Sequence, residues 1–366
     1  MEQKSNASLL VVILAGIGDL VMATPTLRAL RMHFPGSRIS VLTTHRSAEL
    51  IRGLSSIDDI YTLSIGLDQL SVLKALFSAA TWKTVFALRR QRFDTIVNLQ
   101  AVDSRKGALE MAGLLWLLGG KKWAGRNTDG HGFFYDIRVA EKRSDGKHES
   151  ALNLEIAKAL GAGTPAEPEF EVAVSAADEE RVAGMLSEQG LGPNDFLIGF
   201  NPGAFRPSRR WPSARWALLG DTLQEKSSAK IVIMGNSSEA LLVQEITGAM
   251  KHPPVALTGK LTLTQLAALL KRLDLFITND SGPMHIAAAL GTPLIALFGP
   301  GDLGRVNPRG KGQRIVLRKD VACPRPCYEF SCERPLCMEA IETPAVASAA
   351  LSLIKQTKPR GAPGGA

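Results

Sequence analysis

The chain has 366 residues, 45% of them apolar, a net charge of +8 and a pI near 9.4, enough for two domains with sizeable cores. Its longest apolar stretch, Ala108 to Gly120, contains Glu110 and is shorter than the roughly 20 residues of a membrane-spanning helix. Met1 to Ser8 lacks the pattern of a secretory leader, so the expectation is a cytoplasmic protein with an acidic partner: nucleic acid, an anionic membrane surface or a phosphorylated small molecule.

In chain order, Leu9 to Leu14, Ile39 to Thr43 and Thr95 to Leu99 read as short buried strands, with a helical pattern opening near Pro25. Ser71 to Leu88 mixes Leu73, Leu76, Phe77, Trp82, Val85 and Phe86 with Lys74 and Lys83, which suits either an interfacial helix or core. Ala140 to Ser150 reads as a polar surface loop, and Gly161 to Pro168 begins the passage to a second domain whose first helix is Ala177 to Gln189. Strands Leu197 to Phe200, Ile231 to Met234, Leu275 to Thr278 and Leu294 to Phe298 follow, then a helix Pro344 to Gln356. Strands alternating with helices predict an α/β fold of doubly wound parallel sheets. The domains are placed at 1–175 and 176–343, with a final helix over 344–357 and a Pro/Gly-rich disordered tail over 358–366.

Two strand-to-helix turns carry the chemistry. Asn279-Asp280-Ser281-Gly282-Pro283-Met284-His285 follows an apolar strand and opens a helix, so its amides and the helix dipole can face a diphosphate. Far upstream, Ala15-Gly16-Ile17-Gly18-Asp19 forms the counterpart, and one reaction site between two lobes is the expectation. The turn is not a dinucleotide fingerprint, because Val21 stands where a third glycine belongs and no acidic residue follows the second strand at Thr44-His45. Asp19 is either a general base facing the crevice or a cap on the helix behind it. Between the two turns, Asn201-Pro202-Gly203-Ala204-Phe205-Arg206-Pro207-Ser208-Arg209-Arg210-Trp211-Pro212 places arginines on a glycine-bearing loop, which suits phosphate or a solvated face. The loops at Met234 to Glu239 and Gly259 to Thr262 could support a base and ribose, and His285 is either structural or a ligand contact.

Taken together, Gly16-Ile17-Gly18-Asp19 with Thr24-Pro25, the Pro202-Gly203 to Trp211-Pro212 segment, Asn279 to His285, Gly291-Thr292-Pro293 and Phe298-Gly299-Pro300 resemble glycosyltransferase family 9, the ADP-heptose:lipopolysaccharide heptosyltransferases. The resemblance implies a GT-B architecture of two Rossmann-like domains facing a cleft, with the acceptor on the N-terminal side, the sugar nucleotide on the C-terminal side and the last helix crossing back. It implies an inverting transfer with no cofactor, in which Asp19 is the base and Arg209 stabilises the departing diphosphate. Gly203, Glu239, Leu261, Asp280, Ser281, Gly282 and His285 would hold the ADP-sugar donor. Some family members carry Lys where Arg209 stands and hydroxyl residues at Ala204 and Phe205, so donor contacts on this loop are expected to differ from theirs. On the acceptor side, Gly18, Arg105, Lys106 and Arg126, with Lys121 and Lys122, would grip the carboxylates and phosphates of a lipid-linked Kdo-containing saccharide at the inner-membrane surface, although these basic residues equally suit solvated helix faces.

Cys323, Cys327, Cys332 and Cys337 lie in one stretch without C-x-x-C knuckles, and are expected to be structural, as a zinc site or packed thiols. The rival readings are a GT-B enzyme with another sugar nucleotide, a nucleotide-sugar epimerase, and a nucleic-acid-binding protein. Only 6% of residues are aromatic and no stacking platform interleaves the basic clusters, which argues against single-strand binding.

Overall fold

A computed structural model describes residues 7–64 and 78–356. The chain divides into two compact units, residues 1–173 and 174–366. The segment before the division is fastened to the first unit: Ala173 donates its N–H to the Leu50 carbonyl, Glu171 N–H donates to Thr24 Oγ1, and Arg28 pairs with Glu169 and Glu171.

The first unit is a six-stranded parallel sheet in the order β3-β2-β1-β4-β5-β6. Its strands are β1 (Ser8–Ile13), β2 (Arg38–Thr44), β3 (Asp59–Leu63), β4 (Thr95–Asn98), β5 (Lys122–Thr128) and β6 (Ile137–Glu141). Every residue of β1 after Ser8 is buried, because side chains alternate between two covered faces. Leu10 and Val12 join Val85, Leu88, Met111 and Leu115 from the helices Ala79–Gln91 and Arg105–Leu118. The helix Ile17–His33 packs against the helix Glu149–Ala159. It opens earlier in the chain than the sequence pattern places it, with Pro25 inside it. Proline has no N–H for the carbonyl of Val21, and the Thr24 hydroxyl donates to that oxygen instead, at 2.8 Å.

The second unit repeats this plan. Strands β7 (Leu197–Asn201), β8 (Lys230–Ile233), β9 (Val255–Ala256), β10 (Leu275–Asn279), β11 (Leu294–Leu297) and β12 (Arg314–Leu317) form a parallel sheet in the order β12-β11-β10-β7-β8-β9. Numbered within its own unit, each sheet has the Rossmann order 3-2-1-4-5-6, so the GT-B pattern of two Rossmann-like domains is present. Phe200, Trp211 and Trp216 centre the core on one face, and the final helix, Thr343–Gln356, buries Val346, Ala347, Ala350 and Leu353 there against the helix Ser213–Lys226.

Five strands escape the sequence reading: β3, β5, β6, β9 and β12. β6 is an edge strand with alternating exposure, and β5 carries Lys122, Gly125, Arg126 and Asn127, so neither is an apolar run. The stretch read as a surface loop, 140–150, contains the end of β6 and the start of a helix. Of the segment 71–88, residues 71–77 lie outside the described residues, as does the tail over 358–366. From Ala79 onward it is helix, with Val85 and Leu88 buried and Phe86 exposed.

The β5–β6 connection is tight where it crosses the central strands. Tyr135 lies over Gly125, and its hydroxyl accepts from Asn98 Nδ2 at 2.6 Å. A Cβ on Gly125 would fall 2.4 Å from the Tyr135 ring. Gly125→Ala is therefore expected to destabilise the first unit by about 1–3 kcal/mol through overpacking. Hydrogen exchange of the β1 and β4 amides checks this, and unchanged protection would mean that the ring moves aside freely.

Candidate functional site

In a sheet of this order the connections from the two central strands leave in opposite directions, and a crevice opens between their carboxyl ends. In the first unit that point lies between β1 and β4, and a pocket of about 210 Å³ occupies it. Ile13, Ala15, Gly16 and Asp19 form one wall, Leu99, Gln100 and Ala101 another, and Arg126, Glu149 and Asn153 close it. Gln100 is fixed by Asn98, whose Oδ1 accepts from Gln100 N–H and whose Nδ2 donates to the Gln100 carbonyl.

Asp19 sits at the helix start and on the pocket wall at once. Its Oδ2 accepts the Gly16 N–H at 3.1 Å, as a first-turn carboxylate does at a helix start, and the same carboxylate lines the pocket. Desolvation by the surrounding walls, then the negative charge of Glu149, push its pKa up to about 6. The Gly16 N–H and the Arg126 charge oppose that rise. Asp19 keeps open surface at the pocket mouth, so its rise comes from walls at its sides rather than from isolation from water.

Arg126 is buried inside a network of acids. Its Nη1 donates to Glu149 Oε2 at 2.7 Å and lies 3.7 Å from Glu141 Oε2, while Nη2 donates to the Leu99 carbonyl at 3.1 Å. Glu141 Oε2 also accepts from Thr128 Oγ1 at 2.7 Å. The basic cluster expected around Arg126 is not a cluster in space. Lys121 pairs with Asp94 at the amino ends of β1, β4 and β5, opposite to the pocket, and Lys122 begins β5. Arg105 and Lys106 open an exposed helix turn, where Lys106 faces Glu110 at 3.9 Å, and Gly18 lies in the first turn of its own helix. Glu141, Glu149, Gln100 and Asn153 were missed, because Glu141 and Glu149 fall in a stretch whose charge read as solvated.

The second unit has its crevice between β7 and β10, and two of the sequence motifs end there. Asn201 Nδ2 donates to Thr278 Oγ1 and Ser281 Oγ at 3.1 Å each, and Asn279 Nδ2 donates to the Pro202 carbonyl at 2.7 Å. These bonds tie the Gly203 loop to the turn at Asp280. Asp280 is 4% exposed, with Oδ2 2.9 Å from Arg209 Nη1. Burial raises its pKa, and Arg209 and Arg206 oppose the rise. Ser281 precedes the helix Gly282–Leu290, and His285 is buried on its first turn. Glu239 joins the same site: its Oε2 accepts from Asn236 N–H at 2.8 Å, and a Cβ on Gly203 would fall 2.0 Å from its Oε1. Only glycine at 203 lets backbone and carboxylate approach so closely. The Gly235 carbonyl accepts from Gly259 N–H, which brings the loop bearing Leu261 alongside.

The cysteine segment leans on the arginine loop. Arg206 Nη1 donates to the Tyr328 carbonyl, Ser208 Oγ donates to the Glu329 carbonyl, and Phe205 meets Phe330 edge to face. All four thiols are free, with Cys337 buried and Cys323 exposed. Among the described residues no three His, Cys, Asp or Glu are placed to share a metal ion.

The profile of glycosyltransferase family 9 (heptosyltransferase) matches residues 81–334. The chain belongs to that family. The match includes Arg126, Glu149 and the whole β7–β10 site, and begins after Asp19. Lipopolysaccharide heptosyltransferase 3 of Escherichia coli is 28% identical over 295 residues, 78% of this chain and 81% of that protein. In fold, the family 9 glycosyltransferase of Veillonella parvula superposes with a TM-score of 0.77 at 23% identity, over 96% of this chain and 97% of that one. The E. coli ADP-heptose lipopolysaccharide heptosyltransferase II follows at 0.73 and 22%, over 95% and 99%. This family 9 protein is therefore a glycosyltransferase.

Because burial pushes the Asp19 pKa up to about 6 from the ordinary 3.8, the folded state binds its proton more tightly than the unfolded chain does. The resulting stabilisation is complete below the unfolded value and is lost as pH rises through about 6. A carboxyl ¹³C titration should place the Asp19 midpoint near 6, and Glu149→Gln should lower it. A midpoint near 4 in the unmodified protein would mean that the pocket does not tune this group.

Proposed function

We propose that this glycosyltransferase moves a heptose from ADP-L-glycero-D-manno-heptose to a hydroxyl of a lipopolysaccharide inner-core acceptor, by an inverting displacement that needs no metal ion. The observation that carries this reading is Asp19 at the mouth of the β1/β4 pocket, walled so that its carboxyl titrates near 6. A base of that strength is ionised at neutral pH and still takes a proton from a hydroxyl as charge develops. The acceptor oxygen attacks the anomeric carbon, Asp19 receives its proton, and the bond from that carbon to the diphosphate breaks. A single displacement inverts the configuration.

The leaving diphosphate gathers negative charge, and the second crevice offers cationic stabilisation. Arg206 and Arg209 act on Asp280 there, and the amides of Ser281 and Gly282 stand at a helix start. Fixed cations and amides can carry the leaving-group role that a metal ion performs in other transferases. Glu239 and Leu261 would hold the ribose and adenine, and His285 would support the phosphate turn. The Escherichia coli neighbour is named for ADP-heptose, which supports the choice of donor.

The acceptor is read as a lipid-linked Kdo-containing saccharide at the cytoplasmic face of the inner membrane. Exposed Phe86, Leu109 and Trp116 stand among Lys83, Arg89, Arg90 and Lys106 on neighbouring helices, a composition that suits peripheral contact with anionic lipid. Arg105 and Lys106 would meet acceptor anions outside the pocket.

Calorimetric titration with ADP, UDP and GDP in EDTA should show selective binding of ADP, and preference for another nucleotide would change the donor. Asp19→Asn is expected to lower transfer by about 10²–10⁴-fold with ADP affinity nearly unchanged. Normal turnover in that variant would remove the base. Arg209→Ala should weaken ADP binding by about 10–100-fold, the usual loss for a charge-assisted hydrogen bond to phosphate. Unchanged affinity would relocate the diphosphate.

A further inference from the structure

We infer that the β1/β4 pocket admits a neutral, hydroxyl-bearing sugar ring of the acceptor and turns away a ring that carries a carboxylate or phosphate, because Glu149 and Glu141 consume the charge of Arg126. This rests on the transferase reading above and assigns the class of ring that meets Asp19. Arg126 is the one cation on the pocket wall, and its presence alone would argue for an anion site. Its surroundings reverse that conclusion. The residue is 2% exposed, its Nη1 is held by Glu149 at 2.7 Å with Glu141 3.7 Å away, and its Nη2 is spent on the Leu99 carbonyl. An incoming anion would have to displace the half-buried Glu149 from the buried Arg126, at the cost of breaking their pair and of its own desolvation.

The remaining charged groups at the pocket are acids. Asp19 and Glu149 line it, and Glu141 stands behind Arg126 with its side chain 1% exposed. The acids outnumber the cation, and the same imbalance shows at Asp19, where Glu149 raises the pKa more than Arg126 lowers it. A carboxylate or phosphate entering here meets net repulsion across a few ångströms of partly desolvated space. A hydroxyl does not.

Two amides suit the same ring: Gln100 and Asn153 bring hydrogen-bonding groups to the wall without bringing charge. The acceptor as a whole can still be anionic, since its acidic groups need only stay outside the pocket.

The test compares two glycosides that share the manno ring and differ in one charge: methyl α-mannopyranoside and methyl α-mannopyranosiduronate. NMR titration of the full-length protein at pH 7.5, saturated with ADP, should show the uronate binding at least about tenfold more weakly. Glu149→Gln keeps a hydrogen-bond acceptor for Arg126 and removes a charge, so it should bring the two affinities to within about threefold. Uronate binding as tight as the neutral glycoside, or no binding of either, would overturn the inference; both results are read on the unmodified protein and do not depend on the variant folding. ADP affinity, measured in the same samples, separates the two readings. Its loss would sink the transferase proposal, whereas intact ADP binding with no charge preference would sink only this one.

Discussion

Each unit depends on one topological constraint: the connections from its two central strands leave in opposite directions, so nothing in the sheet can close the space between their carboxyl ends. In the first unit this happens between β1 and β4, and in the second between β7 and β10. The backbone reaching those ends is polar, and side chains have to satisfy it. Asn98 does so for Gln100, and Asn201 and Asn279 do so for the Gly203 and Pro202 carbonyls, while Asn201 also reaches the Ser281 hydroxyl.

The crevices differ in how their buried charges are set. In the first, a buried arginine is set among acids; in the second, a buried aspartate is set among arginines. Neither arrangement is the cheapest way to stabilise a fold. Buried ion pairs often contribute little net stability, while removal of one partner costs about 3–5 kcal/mol.

The parts of this arrangement that were legible in the sequence are those written in local pattern. Central strands such as β1, β7 and β10 are apolar runs, because both faces are covered, and the turns after them carry Gly, Asp and Ser at helix starts. The Arg209–Asp280 pair was anticipated as one site, since each residue sits in a recognisable loop. The Arg126 network was not. Glu141 ends an edge strand and Glu149 opens a helix, and in sequence both look like part of a charged surface loop. Their burial follows from the β5–β6 pairing, which is a long-range fact. The same blindness grouped Lys121 and Lys122 with Arg126, although a strand of seven residues puts the first two at the far end of the sheet.

Asp19 shows that one carboxylate can hold a helix start and still line a pocket. A carboxylate in the first turn is drawn to free N–H groups, and the bond to Gly16 holds its position while lowering its basicity. The pocket walls and Glu149 raise it by more, so the net result is a carboxyl that is both anchored and basic. Orientation and strength thus come from different neighbours. The helix start supplies the first, and the pocket walls, followed by a residue more than a hundred positions away, supply the second, which no reading of the Gly16–Asp19 turn by itself could have disclosed.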